Sequence, residues 1–403
     1  MAPAERRLAA VADAAARWTD ADFPPRVRAT RAVMARTGYT EPVVDYALDR
    51  LFGGLGRAAL RATIAGELGS FAALDGFVPR AGRPEVTYRA LERVTIVSSD
   101  TTVGVAIVPL AFALCAGSRV TVKDRDDRLV AAFAATLAEE APEFGGSLAT
   151  GVWAGADEAA GRIALGEADA VVAFGRSETL GAIRARLAPE ARFVAYGHRT
   201  SAGYVAREAL DDEALANACA AGAARDALLY DGEGCLSLHA LFVERGGRIG
   251  PADFARLVAA ACDAAAIEFP AGYAEPDDGV AAYRRSALFR AAQGKGAVYA
   301  GVTAPHLVVL DPPQEDPPPL LRRTLALYSV DGPAQALDFL RRHGLALEAF
   351  ALAAPARADA EAAALASGAA RIAAFGALQD PPLGGEHGGG GRILPFVRAI
   401  YRA

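Results

Sequence analysis

The feature that most restricts the fold of this chain is a change of rhythm at Val94. From there to Tyr196, short apolar runs at 94–98, 120–122, 148–152, 168–174 and 192–196 alternate with longer segments of helical spacing, among them 104–116 and 129–141. Runs this short suit strands buried on both faces. A strand can rejoin a parallel neighbour only through a crossover, and right-handed crossovers lay helices on both sides of the sheet. The expected class is therefore α/β with a doubly wound parallel sheet. Such sheets bind ligands beyond the carboxyl ends of their strands, which singles out 98–100, 123–126, 175–179 and 197–199.

A chain of 403 residues has room for more than one domain. Residues 1–90 read as a helical N-terminal segment with breakers at Pro24-Pro25 and Gly53-Gly54, and 91–230 as the first α/β domain. Residues 231–380 read as a second α/β domain. Its strands are expected at 238–244, 297–302, 307–310, 325–330 and 371–375, and its helices at 252–268, 333–343 and 356–366. Residues 381–403 form a C-terminal segment that opens on a flexible glycine loop, 384–391. The hydrophobic fraction of 53% against 22% charged places the chain among globular proteins with large cores. Arginines are scattered rather than clustered, which excludes a nucleic-acid footprint. Charges interrupt every alanine-rich stretch, so no membrane span is expected. Glu5, Arg6, Arg7 and Asp13 leave no apolar core for a signal peptide. The four cysteines, Cys115, Cys219, Cys235 and Cys262, lack the spacing of a metal or redox pair, so a cytoplasmic protein with free thiols and no metal is expected.

Among the four, Cys235 differs in its setting. Cys115, Cys219 and Cys262 lie in alanine-rich helical stretches, the ordinary place of a small core residue. Cys235 follows Gly232 and Gly234, which permit a tight turn, and an apolar strand begins soon after it. A thiolate on such a turn can attack a carbonyl while a backbone amide holds the oxyanion. Composition alone favours a core role, as for most single cysteines.

The segment YDGEGCLSLHALFV, residues 230–243, resembles the active-site segment of the acyl-CoA reductase family, the LuxC-like branch of the aldehyde dehydrogenase superfamily. FGRSETLGAIRARL (174–187) resembles that family's turn beside the dinucleotide, and RFVAYGHRTSAGYV (192–205) its strand and Gly-His-Arg turn. The stretch from His387 through Arg392 to Val397 resembles its closing segment. The resemblance implies an aldehyde dehydrogenase-like fold, with a Rossmann-type dinucleotide domain and a second, catalytic α/β domain. It implies reduction of an acyl thioester, on CoA or on an acyl-carrier protein, to an aldehyde by NADPH or NADH. Cys235 would be the nucleophile. Lys123 and Asp126 match the lysine and acidic residue that follow the second strand of the dinucleotide domain, where an acid meets the ribose hydroxyls. Arg125 beside them leaves the choice of NADH or NADPH open. Gly175 and Ser177 would approach the pyrophosphate at a helix N-terminus, and Thr179 would bind there or cap the helix. His198 would tune the thiolate or move a proton, or be a structural residue of its turn. Oxidising relatives carry a glutamate near Ala195; here Ala195, Tyr196, Gly197 and His198 offer no carboxylate, which favours thioester chemistry over hydrolysis. The family's oxyanion asparagine is replaced in Ser98-Ser99-Asp100-Thr101-Thr102, with Thr101 nearest its position. That departure keeps an acyl-transferring or non-catalytic member of the same fold open. The superfamily resemblance also implies a homodimer.

Overall fold

The computed structural model of the chain describes residues 2–99, 102–153, 158–273, 277–301, 304–313 and 316–402. It divides into two compact units, one of Met1–Thr37, Val44–His198 and Pro382–Ala403, the other of Gly38–Val43 and Arg199–Pro381. The division falls at His198/Arg199, earlier than the boundary expected near 230, because the strand that starts at Thr200 pairs into the sheet of the second unit.

The N-terminal segment supplies helices Pro3–Arg17, Pro24–Thr37, Glu41–Gly53 and Arg57–Leu68. Pro3–Arg17 packs on helices Ile107–Ala116 and Leu129–Glu140 rather than standing apart. Arg7 Nε donates to Cys115 O at 3.0 Å, and the buried Trp18 donates from Nε1 to Thr136 Oγ1 at 3.1 Å. A hairpin of β1 (Val78–Arg80) and β2 (Arg83–Ala90) follows, which the periodicity did not announce. Five parallel strands come next: β3 (Arg93–Val97), β4 (Arg119–Lys123), β5 (Leu148–Gly151), β6 (Ala170–Phe174) and β7 (Arg192–Tyr196). Their order is β5-β4-β3-β6-β7, so the direction of winding reverses between β3 and β6 and opens a crevice at their carboxyl ends. Every residue of β6 is buried, as an unbroken apolar run requires.

The C-terminal segment belongs to this first unit. Strand Val397–Arg402 pairs antiparallel with β2. The Glu67 carboxylate accepts the amides of Arg392, Ile393 and Leu394 at 2.5, 3.0 and 3.1 Å. The glycine loop expected to be flexible closes on itself through reciprocal bonds between His387 and Gly390, both 3.0 Å, and the His387 ring stacks on Tyr196 with centroids 4.0 Å apart.

The second unit is built on β8 (Thr200–Val205), β9 (Leu238–Glu244), β10 (Ala297–Ala300), β11 (Leu307–Asp311), β12 (Thr324–Val330), β13 (Leu347–Ala353) and β14 (Arg371–Ala373). Their order is β10-β11-β12-β9-β8-β13-β14, parallel throughout except β10. Helices Glu213–Leu228 and Pro251–Glu268 cover one face, burying Leu241, Phe254 and Val258; Phe339 of helix Pro333–Arg342 packs with Phe242 and Phe350 on the other. Cys219 and Cys262 lie in the first of these cores and Cys115 in a buried helix, the ordinary role allowed for them. Among the described residues, no helix is long and apolar enough to cross a membrane.

Helix Glu213–Leu228 comes so close to the turn after β14 that a Cβ on Gly222 would lie 2.4 Å from the Phe375 carbonyl carbon and 2.6 Å from Gly376 N. Backbone cannot yield as a side-chain tip can. Gly222→Ala is therefore expected to destabilise the fold by about 1–3 kcal/mol through overpacking, although alanine is the better helix former by about 1 kcal/mol. Urea unfolding measures the difference, and a stabilised variant would contradict the close approach.

Candidate active site

At the first unit's crevice, β4 ends on Lys123 and β6 leads into Gly175. Gly175 donates its amide to Tyr196 O at 3.1 Å, and its missing side chain leaves the approach to the helix that follows open. That helix, Ser177–Arg184, has Arg176 at its N-cap with no side-chain bond to its first amides. Helix N-termini leave amides without intrahelical partners and carry partial positive charge, so this end suits an anion. Glu178 in the same first turn brings an opposing carboxylate. Thr179 is not a cap: it is the third residue of the helix, and a Cβ at Gly175 would touch its side chain at 3.5 Å. The expectation of capping fails because the helix starts three residues earlier than a threonine cap would require.

Lys123 is half-buried, with Nζ 5.8 Å from the Trp153 ring centre, and burial followed by the Arg186 charge lowers its pKa. Of the acids after it, Asp124 is buried and accepts the amides of Arg125 and Ala131, both at 2.9 Å. Asp127 accepts the Leu129 amide at 3.0 Å and pairs with Arg36 at 2.5 Å. These two build the loop, while Asp126 stands exposed. A glycine approach, an uncapped helix end, a lysine and an exposed acid at one end of a doubly wound sheet fit a dinucleotide's pyrophosphate and ribose. Thr101 and Asp100 lie outside the described residues. His198 is exposed at the last position of the unit's middle segment.

In the second unit, Cys235 is half-buried on the turn between helix Glu213–Leu228 and β9, whereas the other three cysteines are buried; all four are free thiols. The turn begins with three left-handed residues, Tyr230 (φ 58°), Asp231 (φ 53°) and Gly232 (φ 74°). Such conformations cost non-glycine residues on the order of 1–2 kcal/mol each and persist only where surroundings impose them. Arg323, at the start of β12, imposes them. Its amide donates to Asp231 O at 2.9 Å, and its Nη1 donates to Asp231 Oδ1 and to Phe269 O, both at 3.0 Å. Its Nε donates to Pro305 O at 2.9 Å. Arg322 pairs with Glu233 at 2.8 Å, and the Tyr39 hydroxyl reaches the same carboxylate at 3.4 Å. Gly232 serves twice, for its positive φ and because a Cβ there would lie 3.2 Å from Arg323 N.

The other side of the turn is held by uncharged groups. Ser201 on β8 donates from Oγ to Cys235 O at 3.0 Å. Ser237 Oγ accepts the Gly234 amide at 3.2 Å and Gln379 Nε2 at 3.1 Å, while Gln379 also donates to Asp226 O at 3.1 Å. Asp226, fully buried in helix Glu213–Leu228, accepts the amides of Gly376 and Leu378 at 2.7 and 3.1 Å. Burial pushes its carboxyl up to about 7, against the pull of those amides.

Burial also pushes the Cys235 thiol up, to about 12; the Glu348 carboxylate adds to this, and the amides of Cys235 and Leu236 and the Arg199 guanidinium oppose it. The resting thiol is therefore protonated at neutral pH. Glu348 on β13 is buried, with its carboxylate 3.7 Å from Arg199 Nε. Sequence reading singled out Cys235 and the segment 197–199 that ends on Arg199, but not Ser201, Glu348, Arg323 or Gln379, because what joins these is sheet order rather than spacing. His239 and His306 are both buried, His306 at 3.8 Å from Asp263, with a pKa lowered by burial.

A family model described as acyl-CoA reductase (LuxC) matches residues 2–399. Among solved structures, the chain is similar over 99% of its length to an NAD-dependent benzaldehyde dehydrogenase from Corynebacterium glutamicum, with 17% identity, TM-score 0.67 and 86% of that chain covered. An oxidoreductase from Marinobacter aquaeolei matches over the same share, with 15% identity, TM-score 0.72 and 85% coverage. So does a glyceraldehyde-3-phosphate dehydrogenase from Methanocaldococcus jannaschii complexed with NADP, with 10% identity, TM-score 0.69 and 89% coverage. At such identities these likenesses establish the fold, which is that of the aldehyde dehydrogenases. Comparison with curated proteins gives no match.

Two outcomes follow from the clamps on the turn. Arg323→Met leaves Asp231 buried without its cation and should cost about 3–5 kcal/mol; adding Asp231→Asn should recover part of it, a coupling that a double-mutant cycle in urea reads directly. Asp226 has its folded-state pKa above the ordinary value near 3.8, so the folded chain keeps this proton from about pH 4 to about pH 7 while the unfolded chain has lost it. Its contribution to stability is full below about pH 4 and is lost as pH rises through about 7. Asp226→Asn should flatten the fall in unfolding free energy across that window, and unchanged pH dependence would count against the burial effect.

Proposed function

Because the chain belongs to the acyl-CoA reductase (LuxC) family, we propose that it reduces an acyl thioester to an aldehyde through an acyl group carried on Cys235. Membership makes it an oxidoreductase of the acyl-CoA reductase type; the residue roles, the carrier and the choice of cofactor are this reading. The observation that carries it is the held turn: Cys235 is only partly buried, on a backbone fixed from both sides, while the other thiols are buried in cores.

The unit with the β5-β4-β3-β6-β7 sheet is read as the dinucleotide domain, and the unit with β8–β14 as the catalytic domain. Lys123 and Asp126 would hold the ribose, and Gly175 and the amides from Ser177 the pyrophosphate. When bound, NADPH or NADH supplies the hydride that takes the acyl group to the aldehyde. The exposed Asp126 favours a free 2′-hydroxyl, and Arg125 beside it favours a phosphate, so both cofactors belong in the test. Cys235 Sγ attacks the thioester carbonyl and the carrier thiol leaves; the amides of Cys235 and Leu236 favour negative charge on the sulfur. No carboxylate occurs in residues 192–199 to activate water against the acyl-enzyme, which supports transfer to hydride over hydrolysis. Thr101 and His198 keep the oxyanion and proton roles that the resemblance assigns them. Pairing of two chains belongs to the same reading.

Intact-mass spectrometry of the protein with octanoyl-CoA and no reduced cofactor tests it. The expected result is one octanoyl adduct, absent in Cys235→Ala and discharged as octanal by NADH or NADPH. An adduct that survives both cofactors points instead to acyl transfer, and no adduct across several chain lengths overturns the nucleophile.

A further inference from the structure

The sheet alone does not fix how the chain enters β9. Leu238 pairs with Ser201 and Ala240 with Ala202, which leaves His239 as the extra residue of a bulge on β9. On the other side of β8, Leu347 pairs with Thr200 and Ala349 with Ser201, which leaves Glu348 extra on β13. Bulges interrupt the ladder and bend the strand, so the residues just before Leu238 must be placed by other bonds. Those residues are Gly234 to Ser237, a tight turn with Cys235 and Leu236 at its two central positions. The Ser237 amide donates to Gly234 O at 3.0 Å, and the Gly234 amide donates back to Ser237 Oγ at 3.2 Å. The turn is closed twice, once by backbone and once by a side chain.

A serine hydroxyl can donate or accept, and it closes this turn only as an acceptor. Its neighbours settle which it does. Ser237 is fully buried, and Gln379, also buried, donates from Nε2 to Ser237 Oγ and to Asp226 O, both at 3.1 Å. A carbonyl only accepts, so Asp226 O demands the nitrogen end of the Gln379 amide, and the second proton of that nitrogen falls to Ser237 Oγ. Both lone pairs of the hydroxyl are then taken, by Gln379 and by Gly234, and rotating it would break one bond or the other. Gln379 is itself held by Asp226, whose carboxylate accepts the amides of Gly376 and Leu378 at 2.7 and 3.1 Å. One residue of helix Glu213–Leu228 thus anchors both the backbone that carries Gln379 and its side-chain amide. An apolar side chain of the same length would fill this space; a buried amide is explained by the two acceptors it serves.

We infer that Gln379 is a positioning residue of the reaction: by holding Ser237 as an acceptor it fixes the turn from which the Cys235 sulfur meets the acyl thioester. This rests on Cys235 being the nucleophile. Gln379 acts through Ser237 and Gly234, not on the reacting atoms. From the other side, Ser201 Oγ holds Cys235 O at 3.0 Å. The nucleophile's backbone is therefore located by β8 and, through this relay, by the segment that follows β14. Displacing a reacting atom by about 1 Å costs on the order of a hundredfold in rate, whereas one neutral hydrogen bond adds little to stability. Loss of the relay shows in rate before it shows in folding.

The test is single-turnover transfer of octanoyl from octanoyl-CoA to Cys235 with no nicotinamide present, so that effects on cofactor binding do not enter. Quenched-flow intact mass reads it over a range of octanoyl-CoA concentrations. Gln379→Met, which keeps the length and loses both bonds, should lower the limiting rate by about tenfold to a hundredfold. The half-saturating concentration should not move, since the contacts that bind substrate stay in place. Ser237→Ala should behave in the same way. Adding Gln379→Met to Ser237→Ala should slow transfer no further, because Gln379 has then lost the acceptor through which it acts. Gln379→Asn keeps the amide but ends one carbon short of Ser237; it should also be slowed, and it stands in if Gln379→Met does not fold. A wild-type limiting rate in either folded variant overturns the assignment. So does a Gln379→Met effect that persists at full size in the Ser237→Ala background, as a general loosening of the fold would produce. If the wild-type protein takes no octanoyl group on Cys235, the nucleophile itself falls and Gln379 with it; if it does and the variants keep pace, only the role of Gln379 falls.

Discussion

The buried pair of Arg323 and Asp231 does more for geometry than for stability. Taking two charges out of water costs several kcal/mol per ion, and their attraction in the interior repays this only with good geometry and further bonds. Arg323 supplies those bonds by spreading its donors over Asp231, Phe269 and Pro305. What the chain obtains is a turn at Tyr230-Asp231-Gly232 that its own backbone preferences oppose. That turn decides where helix Glu213–Leu228 ends, where β9 begins and which way Cys235 is presented. The hydrogen bonds at Ser201, Ser237 and Gln379 refine a path that the ion pair has already imposed.

A turn held this firmly presents a thiol that rests uncharged. The thiol is kept in its neutral form by burial, and the Glu348 charge reinforces this. Protonated sulfur reacts poorly with stray electrophiles and oxidants, because the thiolate is the reactive species. The three core thiols are quiet for the simpler reason of burial alone at Cys219, with charges as minor additions at Cys115 and Cys262.

Much of this was legible in the residues. The alternation from Val94 to Tyr196 gave the strands of the first sheet to within a few residues, since buried parallel strands are written as uninterrupted apolar runs. Gly232 marked the turn before Cys235, since its positive φ suits glycine, whereas the left-handed Tyr230 and Asp231 gave no such signal. β13 was hidden. Its sequence, LEAFALA, is rich in residues that prefer helices, and only pairing with β8 and β14 makes it a strand. Glu348 was hidden with it, and nothing in the spacing of Cys235 and Glu348 reports a bulge. The hairpin of β1 and β2 was missed for a related reason: arginines and a proline on a half-exposed sheet look like loop until their partner strand is known.

That partner strand, Val397–Arg402, has a bearing on how the protein is made. The second unit is nearly continuous in the chain, so it can gather its core while synthesis proceeds. The first unit draws on residues at both ends, and Arg402 meets Glu85 across 317 positions. Closing so long a loop is slow, though its entropy cost grows only logarithmically with length. On the ribosome, then, a part that emerges early is completed late: the edge of β2 stays unpaired until Val397–Arg402 has emerged. An unpaired edge is a template for association with other chains, and the arginines along β2 supply like charges that discourage it during the wait.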